Sequence, residues 1–312
     1  MIIGITGGTG FIGRSLVARH IALGDTVRVL TRGFADVVFP NSLQVFRGDL
    51  TSADADLEGF TDRLDVLYHC AAELRDAPRM QAVNVEGTAR LVRASAGRIG
   101  RWVQLSSVGA YGPVRTGVVI EASAEQPIGP YEVTKTLADG LVREAAGQGS
   151  FDVVVLRPSN VYGEGMPNQS VFQLFSMIER GLFFFIGPKG ASANYIHVQD
   201  VVAALIQCAT HADAVGKVFN VSNWDTMESL VEGAAKALGR PTPKLRIPLF
   251  PARLLAATLG RLPMVPLTVT RVDALSGRTR YSTDRIEHEL GWEAKVSVRD
   301  GMAALARSWK AR

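Results

Sequence analysis

The chain opens "MIIGITGGTGFIG", and this stretch constrains the fold more than any other. "MIIGIT" reads as a buried strand. Gly7, Gly10 and Gly13 follow at the spacing GxxGxxG, and a helical pattern then runs from about Phe11 to Leu23. A glycine turn between strand and helix lets the backbone approach a pyrophosphate. The helix N-terminus then offers free N–H groups and the positive end of its dipole to that anion. Spaced glycines alone are weak evidence, but here they sit in the strand–turn–helix context the chemistry requires.

The same rhythm continues. "TVRVLT", "LQVFRGD", "DVLYHCAA", "RWVQLSS" and "DVVVLRP" read as further strands, separated by helical stretches such as "MQAVNVEGTARLVRASA" and "YEVTKTLADGLVREAA". Continuous Val/Ile/Leu runs alternating with amphipathic helices predict an α/β fold. The expected architecture is a Rossmann-type, doubly wound parallel sheet covered on both faces. After about Pro158 the rhythm breaks into Gly, Pro and Asn in "NVYGEGMPNQ". Residues 1–165 are therefore expected to form the dinucleotide-binding part. Its sheet would be completed by the strands "YIHV" and "KVFNVS", within 190–222. Most of 166–312 would form a smaller C-terminal substrate-binding lobe, interleaved with the first.

Composition narrows the function. A length of 312 residues, 47% of them hydrophobic, supports a large core. The net charge is +4 and the basic residues are scattered, so no nucleic-acid groove is expected. The five His residues show no metal-ligand spacing, and no metal is expected. Cys70 and Cys208 lie in apolar runs, as buried free thiols of a reducing compartment would. The N-terminus lacks a basic n-region, and the greasy "FPARLLAATLGRLPMVPLTVT" carries Arg253, Arg261 and three prolines. We therefore expect a cytoplasmic protein without a membrane span.

The second strand ends "VLTRG", where an NAD site would offer a carboxylate to the ribose hydroxyls. Arg32 stands there instead. It is either a partner for a 2′-phosphate, which favours NADP over NAD, or a solvated loop charge. Asp49, after the third strand, is a candidate acceptor for an adenine amino group, a helix N-cap, or both.

"YEVTK" places Tyr131 and Lys135 one helical turn apart. A free phenol, with a pKa of about 10, is a weak acid–base partner at neutral pH. A neighbouring ammonium and an oxidised nicotinamide both favour the phenolate and would lower that value. Tyr131 then moves a proton while the nicotinamide moves a hydride.

Glycine motif, serine and Tyr-x-x-x-Lys in this order resemble the extended short-chain dehydrogenase/reductases, the NAD-dependent epimerase/dehydratase family. "HCAA", "NVEGT", "LRPSNVYG", "YIHVQDVV" and "RYSTDRIEHELGW" resemble its further signatures, so the resemblance covers most of the chain. It implies that Ser107, four residues before the Tyr111–Gly112 pair, holds the reacting oxygen, with Ser106 as the alternative. It implies cofactor contacts from Gly7, Thr9, Gly10, Phe11, Ile12 and Gly13 in the first turn, and from Arg32, Asp49 and Leu50 around the adenosine. Ala71, Ala72, Pro158, Tyr131 and Lys135 would lie around the nicotinamide. His69 is expected to serve packing rather than proton transfer, His197 to support its strand, and Asn84 to bond backbone groups near the site. The family's dehydratases have an acid pair where this chain has Val108 and Gly109, which weighs against sugar 4,6-dehydration.

The family's nucleotide-sugar members place an arginine before the "YIHV" strand. Here Ala193 and Asn194 stand at that place. Arg246, Arg271, Arg278 and Arg280 are possible replacements, and Arg278 is the choice because it precedes the "RYSTD" signature. Ser107, Asn160 and Arg278 are thus the expected substrate contacts. The first expectation is a nucleotide-sugar enzyme acting at the C4 hydroxyl or ketone, as an epimerase or 4-ketoreductase and a homodimer. The second is a reductase of a sterol-like or other small apolar ketone, which the apolar "LLAATLGRLPMVPL" would suit. A non-catalytic dinucleotide-sensing regulator is the third.

Overall fold

A computed structural model describes residues 1–33, 43–259 and 268–311. The later part of the apolar stretch noted above, residues 260–267, lies outside them.

Seven strands form the central sheet: β1 (Ile2–Thr6), β2 (Thr26–Thr31), β3 (Leu43–Arg47), β4 (Leu64–His69), β5 (Ile99–Leu105), β6 (Asp152–Pro158) and β7 (Val218–Val221). Their spatial order is 3-2-1-4-5-6-7, and every pairing is parallel. The side-chain period of two explains why these strands read as unbroken apolar runs. Along β6, Val154 and Leu156 face one layer while Val153 and Val155 face the other, and all four are buried. Helices Phe11–Ala22 and Val198–Thr210 cover the first face through Leu16, Val17, Val201 and Leu205. Helices Leu57–Thr61, Gly87–Ser95 and Pro130–Gly147 cover the second through Phe60, Leu91 and Val142. The chain thus leaves β1 and β4 towards opposite faces. A crevice opens at their carboxyl ends, where the strand order reverses.

Of the two later segments expected to rejoin this sheet, Val218–Val221 does and "YIHV" does not. Ser192–His197 instead forms the middle of a separate three-stranded sheet, between Asn160–Tyr162 and Asn223–Thr226. The break at Ser159, after Pro158, diverts the chain from β6, and Asn160–Tyr162 becomes the parallel partner of that strand. Two short strands, Thr116–Val119 and Arg278–Tyr281, pair alongside.

A second apolar cluster gathers around Phe175, Leu230, Val231 and Met302, where helices Gln169–Glu179, Met227–Leu238 and Val298–Lys310 pack. The two clusters interleave along the chain. Trp292, near the C-terminus, belongs to the sheet's core, whereas Phe11 packs on the second cluster. Among the described residues, no helix is long and apolar enough to cross a membrane.

Candidate active site

Two clefts open beyond the carboxyl ends of the strands. The first has a volume of about 820 Å³ and runs along the glycine turn. The second, of about 730 Å³, lies over the second apolar cluster. Ser107, Ser159 and Asn160 form the wall common to both.

The first cleft begins where β1 ends. Gly7 has φ +68°, a left-handed conformation that favours glycine. The amide of Gly10 donates to the Gly7 carbonyl at 2.9 Å and closes the turn. Helix Phe11–Ala22 starts with no side-chain cap at Gly10, so its first amides face the cleft for an anion to take up. A β-carbon on Gly13 would lie 2.1 Å from the Gly7 carbonyl oxygen, so only glycine allows this close packing.

Every residue assigned above to cofactor contact lines this one cleft: Gly7, Thr9, Gly10, Phe11, Ile12 and Gly13 at the turn, Arg32, Asp49 and Leu50 at one end, and Ala71, Ala72, Tyr131, Lys135 and Pro158 at the other. Arg32 is exposed beside Asp49. Burial pushes the Asp49 carboxyl up, but the amide and hydroxyl of Thr51, then Arg32 and Arg79, together hold it below its ordinary range. Asp49 caps the turn at Thr51, at 2.9 Å from the amide; the N-cap of the next helix is Asp56. Arg14, also on the cleft wall, carries no sequence signal beyond its place in the first helix.

The catalytic end is built from β5, β6 and helix Pro130–Gly147. The hydroxyl of Ser107 accepts from the Gly109 amide at 3.0 Å, which leaves its own proton to donate towards a bound oxygen. Ser106 also lines the first cleft, but its hydroxyl is engaged: it donates to Asp139 at 2.5 Å. Lys135 is 3% exposed and Asp139 is 1% exposed. Burial drives Lys135 below the ordinary lysine value, and the charge of Asp139 opposes that.

The phenol behaves differently from the expectation. Burial, then the carboxylates Glu132 and Asp139, push Tyr131 up to about 12 rather than down. Lys135, one turn away, is not among the groups that shift it, so the chain alone holds Tyr131 as a proton donor. A bound oxidised nicotinamide supplies a positive charge and the hydride-accepting carbon.

Around this centre several other polar groups are committed to structure. The Thr88 hydroxyl donates to the Asn84 carbonyl at 2.6 Å and so must accept from His69 Nε2, at 2.9 Å. His69 Nδ1 then accepts from Thr6, at 2.7 Å. This fixes a neutral, Nε2-protonated imidazole, and burial together with Lys135 lowers its pKa to about 3. His69 is therefore no proton shuttle near neutrality. Asn84 lies in a π-helical segment, Gln81–Glu86, within what reads as one continuous helix. Its amide bonds the Glu73 amide and carbonyl at 2.7 and 3.1 Å and Thr134 at 3.0 Å, tying the loop after β4 to the first turns of the Tyr131 helix. His197 accepts from the Gln199 amide and caps the next helix.

The second cleft is mostly apolar, with Val108, Val171, Leu174, Met177, Phe183 and Tyr195 among its walls. Among the described residues, its charged lining residues are Glu132, Arg271 and Asp273. Asp273 is already paired with Arg115 at 3.0 Å and with Arg253. Arg271 donates to Gln173 at 2.6 Å. Arg278, the residue chosen for the phosphate contact, lines neither cleft. Strand alternation is the reason. In Arg278–Tyr281, Thr279 and Tyr281 face the cleft, while Arg278 is exposed and donates to the Lys189 carbonyl at 2.5 Å. Arg280 lies over the Trp224 ring, and Arg246 pairs with Glu228 at 2.6 Å. Ala193 is fully buried. Glu132 and Ser159 were not singled out from sequence. The hydroxyl of Ser159 is buried on the shared wall without a partner among the described residues, as a group kept for a bound molecule would be.

The glycine cradle, the uncapped helix start and the unpartnered Ser159 hydroxyl all fit a bound dinucleotide. Comparisons with known proteins agree. Residues 3–222 match the model of the NAD dependent epimerase/dehydratase family. The UDP-glucose 4-epimerase of Vibrio cholerae is 24% identical over 98% of this chain and 94% of its own length. A 4-hydroxy-2-methyl-3-oxo-4-farnesyl-3,4-dihydroquinoline-1-oxide ketoreductase of Stigmatella aurantiaca is 28% identical over 97% of this chain and 95% of its own. Among solved structures, MoeE5 in complex with UDP-glucuronic acid and NAD superimposes with a TM-score of 0.77 at 26% identity, covering 100% of this chain and 99% of that one. The chain belongs to the NAD-dependent epimerase/dehydratase family and is an NAD(P)-dependent enzyme of the extended short-chain dehydrogenase/reductase kind.

Proposed function

We propose that the protein interconverts a secondary alcohol and a ketone, with Ser107 holding the reacting oxygen and Tyr131 exchanging its proton. Lys135 supplies the buried positive charge beside them. The observation that carries this reading is the shared wall. Ser107 borders both clefts, so an oxygen bound there lies between the cofactor side and the substrate side.

The substrate this site fits best has an apolar body. The arginine place is filled by buried Ala193, Arg278 points away, and the second cleft is lined mainly by aliphatic and aromatic side chains. A nucleotide sugar is the second reading, favoured by Arg271 in the cleft wall and by the UDP-glucuronic acid bound in MoeE5. Calorimetric titration of UDP, GDP, CDP and dTDP, beside turnover of a planar polycyclic ketone, separates the two. We expect reduction of the ketone and no dissociation constant tighter than roughly 1 mM, about −4 kcal/mol, for any of the four nucleotides. Micromolar binding of one of them would reverse the order.

Cofactor preference follows from the end of β2. Arg32 lines the first cleft where a ribose-binding carboxylate would stand, which supports NADPH. A charge-assisted contact contributes about 1.5–3 kcal/mol, so NADPH should bind about ten-fold or more tighter than NADH. Arg32→Ala should erase most of that difference. Equal affinities in the wild type would remove the argument.

A further inference from the structure

Helix Pro130–Gly147 carries three residues at one-turn intervals on one face: Tyr131, Lys135 and Asp139. The third has no part in the reaction described above, yet it is buried and heavily engaged. Its Oδ2 accepts from Ser106 at 2.5 Å and from the Arg157 guanidinium at 3.3 Å. Arg157 is itself 1% exposed, bonds Glu125 at 2.6 Å and lies 5.0 Å over the Tyr111 ring. Each partner is a close chain neighbour of a residue of the site. Ser106 precedes Ser107, Arg157 precedes Pro158, and Asp139 is one turn beyond Lys135.

We infer that Asp139 is a positioning residue: it is the counter-ion that keeps Lys135 charged in its dry place, and through Ser106 and Arg157 it fastens β5, β6 and the catalytic helix together at the end where Ser107 and Tyr131 must meet. The inference rests on the oxidoreductase reading for its purpose, but its physical content does not depend on turnover.

A buried ammonium without an anion sheds its proton. Among the described residues, few titratable groups lie near Lys135. His69 and Cys70 come from the end of β4, where His69 is neutral and burial pushes the Cys70 thiol up to about 12. Tyr131 is protonated near neutrality. Arg157, from β6, is the cation bonded to Asp139 itself. Asp139 therefore supplies the negative charge at this point. Burial holds its carboxyl above the ordinary carboxylate range, and Lys135, Ser106 and Arg157 oppose that rise. A structural pin alone would need no charge on Asp139, which makes the two roles separable.

The test reads Lys135 directly. In full-length protein carrying carbon-13 lysine, the Lys135 side-chain signal, identified by its loss in Lys135→Met, is followed against pH by NMR. Asp139→Asn should lower its titration midpoint by about one pH unit or more, and Asp139→Glu should restore it. An unmoved midpoint in folded Asp139→Asn overturns the inference. Should that variant fail to fold, the wild type still decides. The Asp139 carboxyl carbon should keep its ionised shift from roughly pH 6 to 9, and a proton found on it at pH 7 overturns the inference equally. If the titrations hold but no alcohol or ketone is turned over, the functional reading fails while the electrostatic one stands.

Discussion

Tyr131→Phe is expected to lower turnover by about 100-fold or more, the scale of losing a positioned general acid–base group. The aromatic body stays, so packing at the start of helix Pro130–Gly147 and cofactor affinity should remain near wild type. The size of the loss follows from what surrounds the phenol. Glu132 is half-buried beside it in the second cleft, but its negative charge raises the phenol and makes no substitute acid. His69 is locked as a neutral imidazole by Thr6 and Thr88. Ser107 holds an oxygen but is itself too weak an acid to give up its proton. With Tyr131 pushed up to about 12, the protein free of cofactor is poised in the proton-donating form that ketone reduction uses. The reduction rate of the wild type should accordingly not fall through loss of that phenolic proton as pH rises from about 7 to 9. Steady-state rates for wild type and variant with NADPH and a ketone, paired with cofactor titrations, check both statements. Unchanged turnover in Tyr131→Phe would remove it from the mechanism.

The parts legible in the sequence are those in which a local pattern fixes geometry. Gly7, Gly10 and Gly13 mark a turn because the backbone there needs a positive φ and close approach. Tyr131 and Lys135 share a helix face because four residues make about one turn. The runs of β4, β5 and β6 read as central strands because both of their faces are buried. Signals were weaker wherever tertiary contact decides. Ser192–His197 carries the same apolar run as a sheet strand, and its diversion depends on where Asn160–Tyr162 leads after β6. Arg278 sits beside a recognisable signature, but a period of two turns it outward while Thr279 and Tyr281 face the cleft. The pKa of Tyr131 ran against the sequence argument because spacing reveals the neighbouring ammonium and not the extent of desolvation. Asp139, Arg157 and Ser106 lie 18 to 51 residues apart along the chain, and nothing in their spacing announces that they meet.

Gly13→Ala should weaken dinucleotide binding by about 100-fold or more while the sheet stays folded. The added carbon would sit 2.1 Å from the Gly7 carbonyl oxygen, far inside van der Waals contact, and 2.9 Å from the Gly8 α-carbon. Neither obstacle is the far end of a flexible side chain. The helix start must move away from the turn, or the turn must open. The Gly7 carbonyl cannot swing aside freely, because it accepts the Gly10 amide that closes the turn. Gly7 has little room to retreat, since a β-carbon there would lie 2.7 to 2.8 Å from the backbone of Cys70 and Ala71 at the end of β4. Displacing a backbone held on both sides costs about 3 kcal/mol, which corresponds to roughly two decades of affinity if the displaced groups are those that receive the pyrophosphate. The remaining packing of helix Phe11–Ala22, through Leu16 and Val17, is untouched, so the thermal midpoint should fall much less than for a core truncation. Fluorescence titration of NADPH and NADH, with a melting curve for each protein, measures both quantities. Wild-type affinity in a folded Gly13→Ala would mean that the cofactor does not use this turn.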